Sequence, residues 1–381
     1  MGQPVYPPRE AHDEPPFAES RVPAVTRAVA LLDAISASSD GRTLSDLARK
    51  IGSPKSSLLN VCEALTAERL LRKDATGRYR LGIRIAELAA AQLSHPPRLK
   101  KVGFAVQNFT NPFFRAEADA IAADADHRRV HVSVHDAGQD LQTQLDQLRQ
   151  LADVDVDAVI LDPVDSEGVA AGVAAIRARG IAVVAVNAGA SGADAAVMTD
   201  NIQAGELIGR HLGASLGGSG EIAVIGGTRI TGNFDRISGF LGALRDYPDI
   251  CVVERMDGDN TRDTGRKVAN AILDRHPHIA AVFCINDPTA LGVVDAFEAR
   301  GTSAPILSVD GSQAAMQILR QGRGIIATAA QDPRELGRAA FRLADLLYSG
   351  SRSPRRTWLM PTMLVVRSNA DSYIPWDRSD D

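Results

Sequence analysis

From Val22 onward, apolar residues recur at three- and four-residue spacing through Val25, Ala28, Val29, Leu32 and Ile35, which predicts a helix with one buried stripe. Gly41 interrupts that pattern. Leu44, Leu47, Ala48 and Ile51 predict a second, short helix, with Thr43 placed to cap it and Gly52 to end it. Ser53 and Pro54 are placed to cap and open a third helix, whose apolar positions are Leu58, Val61, Cys62 and Leu65. Two short strands, residues 70–73 and 78–81, then flank the turn residues 74–77 and form a basic hairpin. Residues 83–93 form an Ala-rich helix of high propensity, and Ser94-His95-Pro96-Pro97 breaks it into a short stiff joint.

Beyond the joint the period changes. Short apolar runs at residues 102–106, 130–134, 158–161, 181–186, 222–225, 280–285 and 306–309 alternate with helical patterns. Such alternation predicts βαβ units and parallel sheets, and the length of the series predicts two similar lobes rather than one sheet. The expected division is a disordered arm at 1–20, rich in proline, a helical head at 21–82, a linker helix and joint at 83–99, a two-lobed α/β domain at 100–367, and a polar tail at 368–381.

Composition refines this picture at three points. At 381 residues, with 45% hydrophobic and 23% charged residues, the chain has globular composition and room for two or three domains. No apolar stretch reaches the ~18 residues of a membrane span, and the N-terminus lacks a basic-then-apolar secretory pattern, so a cytoplasmic protein without membrane contact is expected. Cys62, Cys251 and Cys284 are far apart and belong to no metal-ligand spacing, which predicts buried inert thiols and no metal or other cofactor. The net charge of −5 is unevenly spread, since residues 21–80 carry eleven basic against six acidic side chains. A basic head on an acidic body points to a polyanion partner for the head alone.

Ligands of open α/β sheets sit at the carboxyl ends of the strands. There the sequence places Gln107, Asn111, Phe113 and Phe114, then Asp162, Asn187, Asn286, Asp287, Asp310 and Gln331, with Arg236 at a helix start. Amides, carboxylates and one forked cation satisfy hydroxyl groups that both donate and accept, and aromatic faces cover a sugar's C–H side. Simpler roles compete: Asn111 before Pro112 is a favoured N-cap, Asp287 is placed to cap the helix from Pro288, and Asp310 before Gly311 suits a strand-end turn. Two adjacent phenylalanines on a helix point about 100° apart, so one of them is expected to face a cleft. The G-x-S-x-G at residues 213–217 runs from helix to strand, opposite to a nucleophile elbow, and the glycines at 217–220 precede a strand, so neither is a catalytic or phosphate motif.

The head, TLSDLARKIGSPKSSLLNVCEAL followed by LLRKDATGRYRLG, resembles the winged helix-turn-helix DNA-binding domain of the IclR family. That resemblance implies duplex DNA as partner, a homodimer, and contacts from Lys55, Ser56, Ser57 and Asn60 on the recognition helix with Lys73 and Arg78 in the wing. Asn60 either reads adenine through its amide or points to solvent. Leu59, Asn60 and Glu63 depart from the more basic or polar residues usual there.

The body, from Lys101 to Arg367, resembles the ribose-type sugar-binding proteins and the LacI-type regulator core, both of the periplasmic-binding-protein fold. The resemblance is carried by KVGFAVQNFTNPFF, RISGF, AVFCINDPTALG, ILSVDG and ATAAQDP. It implies that Asn111, Phe113, Phe114, Arg236, Asn286, Asp310 and Gln331 bind or flank a sugar, with Gln107 and Asn187 at further ligand positions. Four positions depart from it: Asn187-Ala188 replaces an acidic residue followed by arginine, Gln107 a small hydroxyl residue, Val309 an aromatic, and Asn260 a third stacking aromatic. The expected function is a sugar-responsive transcription regulator that is not an enzyme. A transport sugar-binding protein is opposed by the basic head, and a sugar-modifying enzyme by the lack of a base and nucleophile pair.

Overall fold

A computed structural model describes residues 22–38, 40–74, 76–94, 98–350 and 356–378. The expected disordered arm at 1–20, the Pro96-Pro97 joint and the last three residues lie outside them. The chain divides into two compact units, residues 1–96 and 97–381.

The first unit contains α1 (Pro23–Ser36), α2 (Leu44–Ile51), α3 (Lys55–Ala67), β1 (Leu71–Lys73), β2 (Tyr79–Leu81) and α4 (Ile83–Ser94). Its core holds Ile35, Leu47, Leu58 and Cys62 as the periodicity marks, joined by Leu71 and Tyr79 from the hairpin, but in α1 the buried face is Leu31, Ala34 and Ile35, while Val25 and Val29 of the expected stripe are exposed. Thr43 and Asp46 form a reciprocal capping box at the start of α2, and Gly52 ends that helix in the left-handed conformation that favours glycine, φ 68°. Ser53 does not cap α3. The N-cap position belongs to Pro54, which has no side-chain acceptor to offer, and α3 starts at Lys55. β1 and β2 pair antiparallel with Leu71 opposite Leu81 and Lys73 opposite Tyr79. The turn between them is knotted by the Asp74 carboxylate, which accepts from the Thr76 hydroxyl, the Thr76 and Arg78 amides, and the Arg80 guanidinium. These hydrogen bonds hold the Asp74 carboxyl far below the usual carboxylate range.

The second unit holds two six-stranded sheets. Its elements are β3 (Lys101–Val106), α5 (Pro112–Arg128), β4 (His131–Asp136), α6 (Leu141–Asp153), β5 (Ala158–Leu161), α7 (Ala170–Arg177), β6 (Ala182–Asn187), β7 (Ala195–Thr199), α8 (Asn201–Ser215), β8 (Ser219–Gly226), α9 (Thr231–Ala243), β9 (Asp249–Asp257), α10 (Arg262–Arg275), β10 (Ala281–Cys284), α11 (Asp287–Ala299), β11 (Ile306–Asp310), α12 (Gln313–Gln321), β12 (Ile325–Ala330), α13 (Pro333–Tyr348), β13 (Thr357–Met360) and β14 (Met363–Val366). The first lobe's sheet runs β13-β7-β6-β5-β3-β4, all parallel, with Phe104 of β3 paired between Val134 and Ile160. The second lobe's sheet runs β14-β12-β11-β10-β8-β9, parallel except for β14. Strands covered on both faces by helices are continuously apolar, which is why β3, β5, β6, β10 and β11 were visible as runs. Edge strand β9 is half exposed and charged, and it carries Cys251, which is exposed against the expectation of a buried thiol; Cys62 and Cys284 are buried.

The chain crosses between the lobes three times, after β7, after β12 and after β13. The crossings are tied together: the Thr199 hydroxyl donates to Gln331 Oε1 at 2.5 Å, the Asp200 amide to the Met360 carbonyl at 2.7 Å, and the Thr362 amide to Gln203 Oε1 at 2.7 Å. Residues 368–378, expected as a polar tail, are folded. Ala370 and Trp376 are buried, the Tyr373 hydroxyl donates to the Gly311 carbonyl, and Trp376 Nε1 donates to the Asp310 carbonyl at 3.0 Å. Trp376 also meets Phe113 edge-on at 5.6 Å, so this segment touches the first lobe at Phe113 and the second at Asp310.

Two close approaches position the second lobe's site. A Cβ on Gly205 of α8 would lie 2.0 Å from the Arg236 carbonyl, and one on Gly239 of α9 would lie 2.1 Å from the Ile202 carbonyl. The missing side chains let α8 and α9 pack backbone to backbone, which brings Arg236 over the ends of β10 and β11.

Candidate functional site: a cleft between two lobes

The facing carboxyl ends of the two sheets enclose a cleft with about 500 Å³ of empty space, its open mouth included. Gln107, Asn111, Phe113, Phe114 and Asn187 line it from the first lobe, Arg236, Asn286 and Asp310 from the second, and Gln331 from a crossing. All nine residues expected from the sequence are therefore brought together.

Each is held differently. Asn111 caps α5, its carbonyl oxygen accepting from the Phe113 amide at 3.0 Å, so the capping role and the cleft position coincide. Phe113 and Phe114 both reach the cleft, where one was expected, because they pack edge-on at 5.6 Å and share its wall. Arg236 is 5% exposed, in the second turn of α9 rather than at its start. It donates from Nε to Asn201 Oδ1 at 2.7 Å and from Nη1 to the Ile285 carbonyl at 2.9 Å, and lies 3.9 Å from the Asp310 carboxylate. Burial pushes the Asp310 carboxyl up to about 7, against the pull of Arg236 and of Gln331. Gln331 is bonded at both ends of its amide, donating to Asp310 at 2.7 Å while accepting from Thr199, so it links the cleft to the crossings.

Asn286, not Asp287, caps α11, accepting from the Thr289 amide at 3.0 Å. Asp287 lies wholly buried behind the site, accepting from the hydroxyls of Ser308, Ser312 and Thr328 and from the Ser312 amide. In the first lobe, Asp162 takes the equivalent place at the end of β5. It accepts from Gln107 Nε2 at 2.7 Å and, at 3.4 Å, from Asn187 Nδ2.

Backbone strain concentrates here. Of the six non-glycine residues with positive φ among the described residues, four line the cleft: Gln139, Asn187, Asn260 and Asp310. Left-handed backbone costs a non-glycine residue roughly 1–3 kcal/mol and persists where surroundings over-determine it, as at ligand clamps. Gln139 escaped the sequence reading, although it follows Gly138 in the loop after β4; its carbonyl accepts from Asn108, and its buried Nε2 has no partner. Asn233 and Asn260 also line the cleft and are bonded to each other and to Thr228. The site thus offers mainly neutral amides, one buried Arg–Asp pair and an aromatic wall. No group of three or more His, Cys, Asp or Glu suited to a metal occurs among the described residues.

In the first unit, Lys55, Ser56 and Asn60 are exposed on α3, and Lys73 is exposed on β1. Ser57 is half-buried, its hydroxyl accepting from Arg27 at 2.9 Å. Arg78 is half-buried too, with Nη1 on the Gly41 carbonyl at 3.2 Å. These two are anchored to their own unit, and the Lys73 ammonium lies over the Tyr79 ring, 5.5 Å from its centroid.

Residues 102–352 match the family described as periplasmic binding protein domain, and residues 24–75 match the IclR helix-turn-helix domain. The ribose import binding protein of Bacillus subtilis is 29% identical over 254 residues, covering 66% of this chain and 82% of that protein. The xylitol-binding protein of Mycolicibacterium smegmatis is 28% identical over 300 residues, covering 77% and 85%. Among solved structures, an ABC transporter solute binding protein from Mycobacterium smegmatis with bound glycerol superimposes with a TM-score of 0.69 at 31% identity, covering 72% of this chain and 96% of that one. The chain belongs to the periplasmic binding protein domain family and carries that domain behind an IclR helix-turn-helix domain.

Proposed function

We propose that this protein is a cytoplasmic, homodimeric transcription regulator whose first unit binds duplex DNA and whose two-lobed unit binds a monosaccharide or polyol. The observation that carries this reading is the cleft itself. Its amides, its single buried Arg–Asp pair and its two phenylalanines are suited to a neutral polyhydroxylated ligand with one apolar face. The names of the relatives, ribose, xylitol and glycerol binders, agree with that class. A DNA role draws on the matched helix-turn-helix domain and on the exposed Lys55, Ser56, Asn60 and Lys73. Dimerisation draws on α1 and the residue before it, which leave Val22, Val25 and Val29 exposed by 54%, 60% and 54%, an apolar stripe at helical spacing on one side.

A transport binding protein is the second reading, favoured by the import roles in the relatives' names. DNA titrations separate the two. The full chain should bind duplex DNA with an affinity that falls steeply with salt, and Lys73→Ala should weaken binding to all sequences alike while lowering the salt slope by about 0.9. Salt-independent or absent DNA binding would leave only the transport reading.

A further inference from the structure

Glu117 stands on the buried face of α5, one turn after Phe113 and Phe114, and is 0% exposed. Neither of its carboxyl oxygens has a hydrogen-bond donor. Its polar neighbour is the Asp162 carboxylate, itself 0% exposed. Two carboxylates are acceptors only, so they meet in a low-dielectric interior only through a proton. The elements around them bring amides and backbone: Gln107 from β3, Asn187 from β6, Gln144 from α6 bonding the Asp162 carbonyl, and Gly337 from α13 against the Glu117 carbonyl. None of these residues brings a cation. Asp162 receives the donors of Gln107 and Asn187, which stabilise its charge, whereas Glu117 receives none; the proton therefore rests on Glu117. Burial, then the Asp162 charge, raise the Glu117 carboxyl well above the usual range.

The consequence reaches the cleft. Each spends an N–H on Asp162, so Gln107 and Asn187 are held with their amide nitrogens toward it and keep a carbonyl oxygen and a second N–H. We propose that Glu117 and Asp162 share one proton beneath the cleft and act as positioning residues: Asp162 fixes Gln107 and Asn187 as a wall whose carbonyl oxygens are free for ligand hydroxyls, and the charge left on Asp162 behind that wall disfavours carboxylates. This rests on the polyhydroxylated-effector reading above and narrows it to uncharged compounds.

Infrared spectra of the full chain at neutral pH test the pair without any ligand. Because Asp310 can contribute a protonated-acid band of its own, the readout is the native-minus-Glu117→Gln difference spectrum: the carbonyl stretch of a protonated carboxylic acid is expected in it, and its absence from that difference overturns the proposal. Calorimetry with ribose, xylitol and glycerol, each beside its corresponding acid (ribonate, xylonate, glycerate), tests the wall. The neutral member of each binding pair should bind at least about tenfold more tightly. Glu117→Gln, whose amide donates in place of the proton, should stay within about threefold of native affinity, whereas Asp162→Asn, which must donate to one of the two amides and reverse it, should lose about tenfold or more. Acids bound as well as neutral compounds, or native affinity in Asp162→Asn, would overturn the wall. If no neutral probe binds the native chain, the effector reading falls, while the infrared result still decides the pair.

Discussion

Replacing Arg236 with alanine will destabilise the two-lobed unit by about 3–5 kcal/mol, and the folded fraction will bind its effector about 10- to 150-fold more weakly. Both effects have one cause. The guanidinium is 5% exposed and joins three elements, donating to Asn201 at the start of α8 and to the Ile285 carbonyl after β10 while facing Asp310 at the end of β11. Its removal leaves a buried carboxylate without its cation and a carbonyl without its donor, and removes the cleft's charged fork. Arg236→Lys should restore part of the stability but not the affinity, because one ammonium cannot reproduce a planar fork directed at two acceptors. Denaturant unfolding and calorimetry on both variants measure this. A loss below about 1 kcal/mol would mean that the pair is screened and that Arg236 does not organise the site.

Gly205→Ala should be nearly as severe, although it adds one methyl group far from any expected ligand contact. The new Cβ would lie 2.0 Å from the Arg236 carbonyl and 2.6 Å from the Phe240 amide nitrogen. Backbone atoms cannot swing aside as a side-chain end does, so α9 must move away from α8 and carry Arg236 with it. Overpacking of this kind costs about 1–3 kcal/mol, and displacement of a positioned contact by about 1 Å is enough to spoil affinity. Gly242→Ala is the control: it lies on α9, the other helix of the pair, with nothing within 4 Å of its Cβ, and should stabilise the protein slightly through helix propensity. Equal behaviour of the two variants would show that α8 and α9 are not locked at this contact.

The site was more legible in the sequence than its surroundings. Strands buried on both faces are written as apolar runs, and the residue that ends each run stands at the cleft, so Gln107, Asn187 and Asp310 could be located without coordinates. Asn111 was visible as a cap, and the cap turned out to lie on the cleft wall. Strands β9, β13 and β14 left weaker traces because they are short or lie at sheet edges, where exposed positions accept polar residues. The segment after β14 was hidden by its composition: Ser, Asn, Asp and Arg surround Tyr373 and Trp376, and nothing local shows that those two rings are docked. Glu117 did leave a signal. It occupies an apolar position of α5, four residues after Phe113 and four before Ile121, and a carboxylate at a core position asks for a partner. Asp162, directly after the apolar run of β5, answers it.

Under the proposed function, one chain binds a small polyhydroxylated effector and DNA, and each affects the other. The direct measurement is the affinity of the full chain for a duplex selected from random sequence, at fixed salt, with and without a saturating amount of the tightest-binding neutral sugar or polyol. The effector is expected to alter DNA affinity by about 5- to 150-fold, with the same factor applied by DNA to effector affinity, as linkage requires. Effector binding that leaves DNA affinity unchanged would contradict the account.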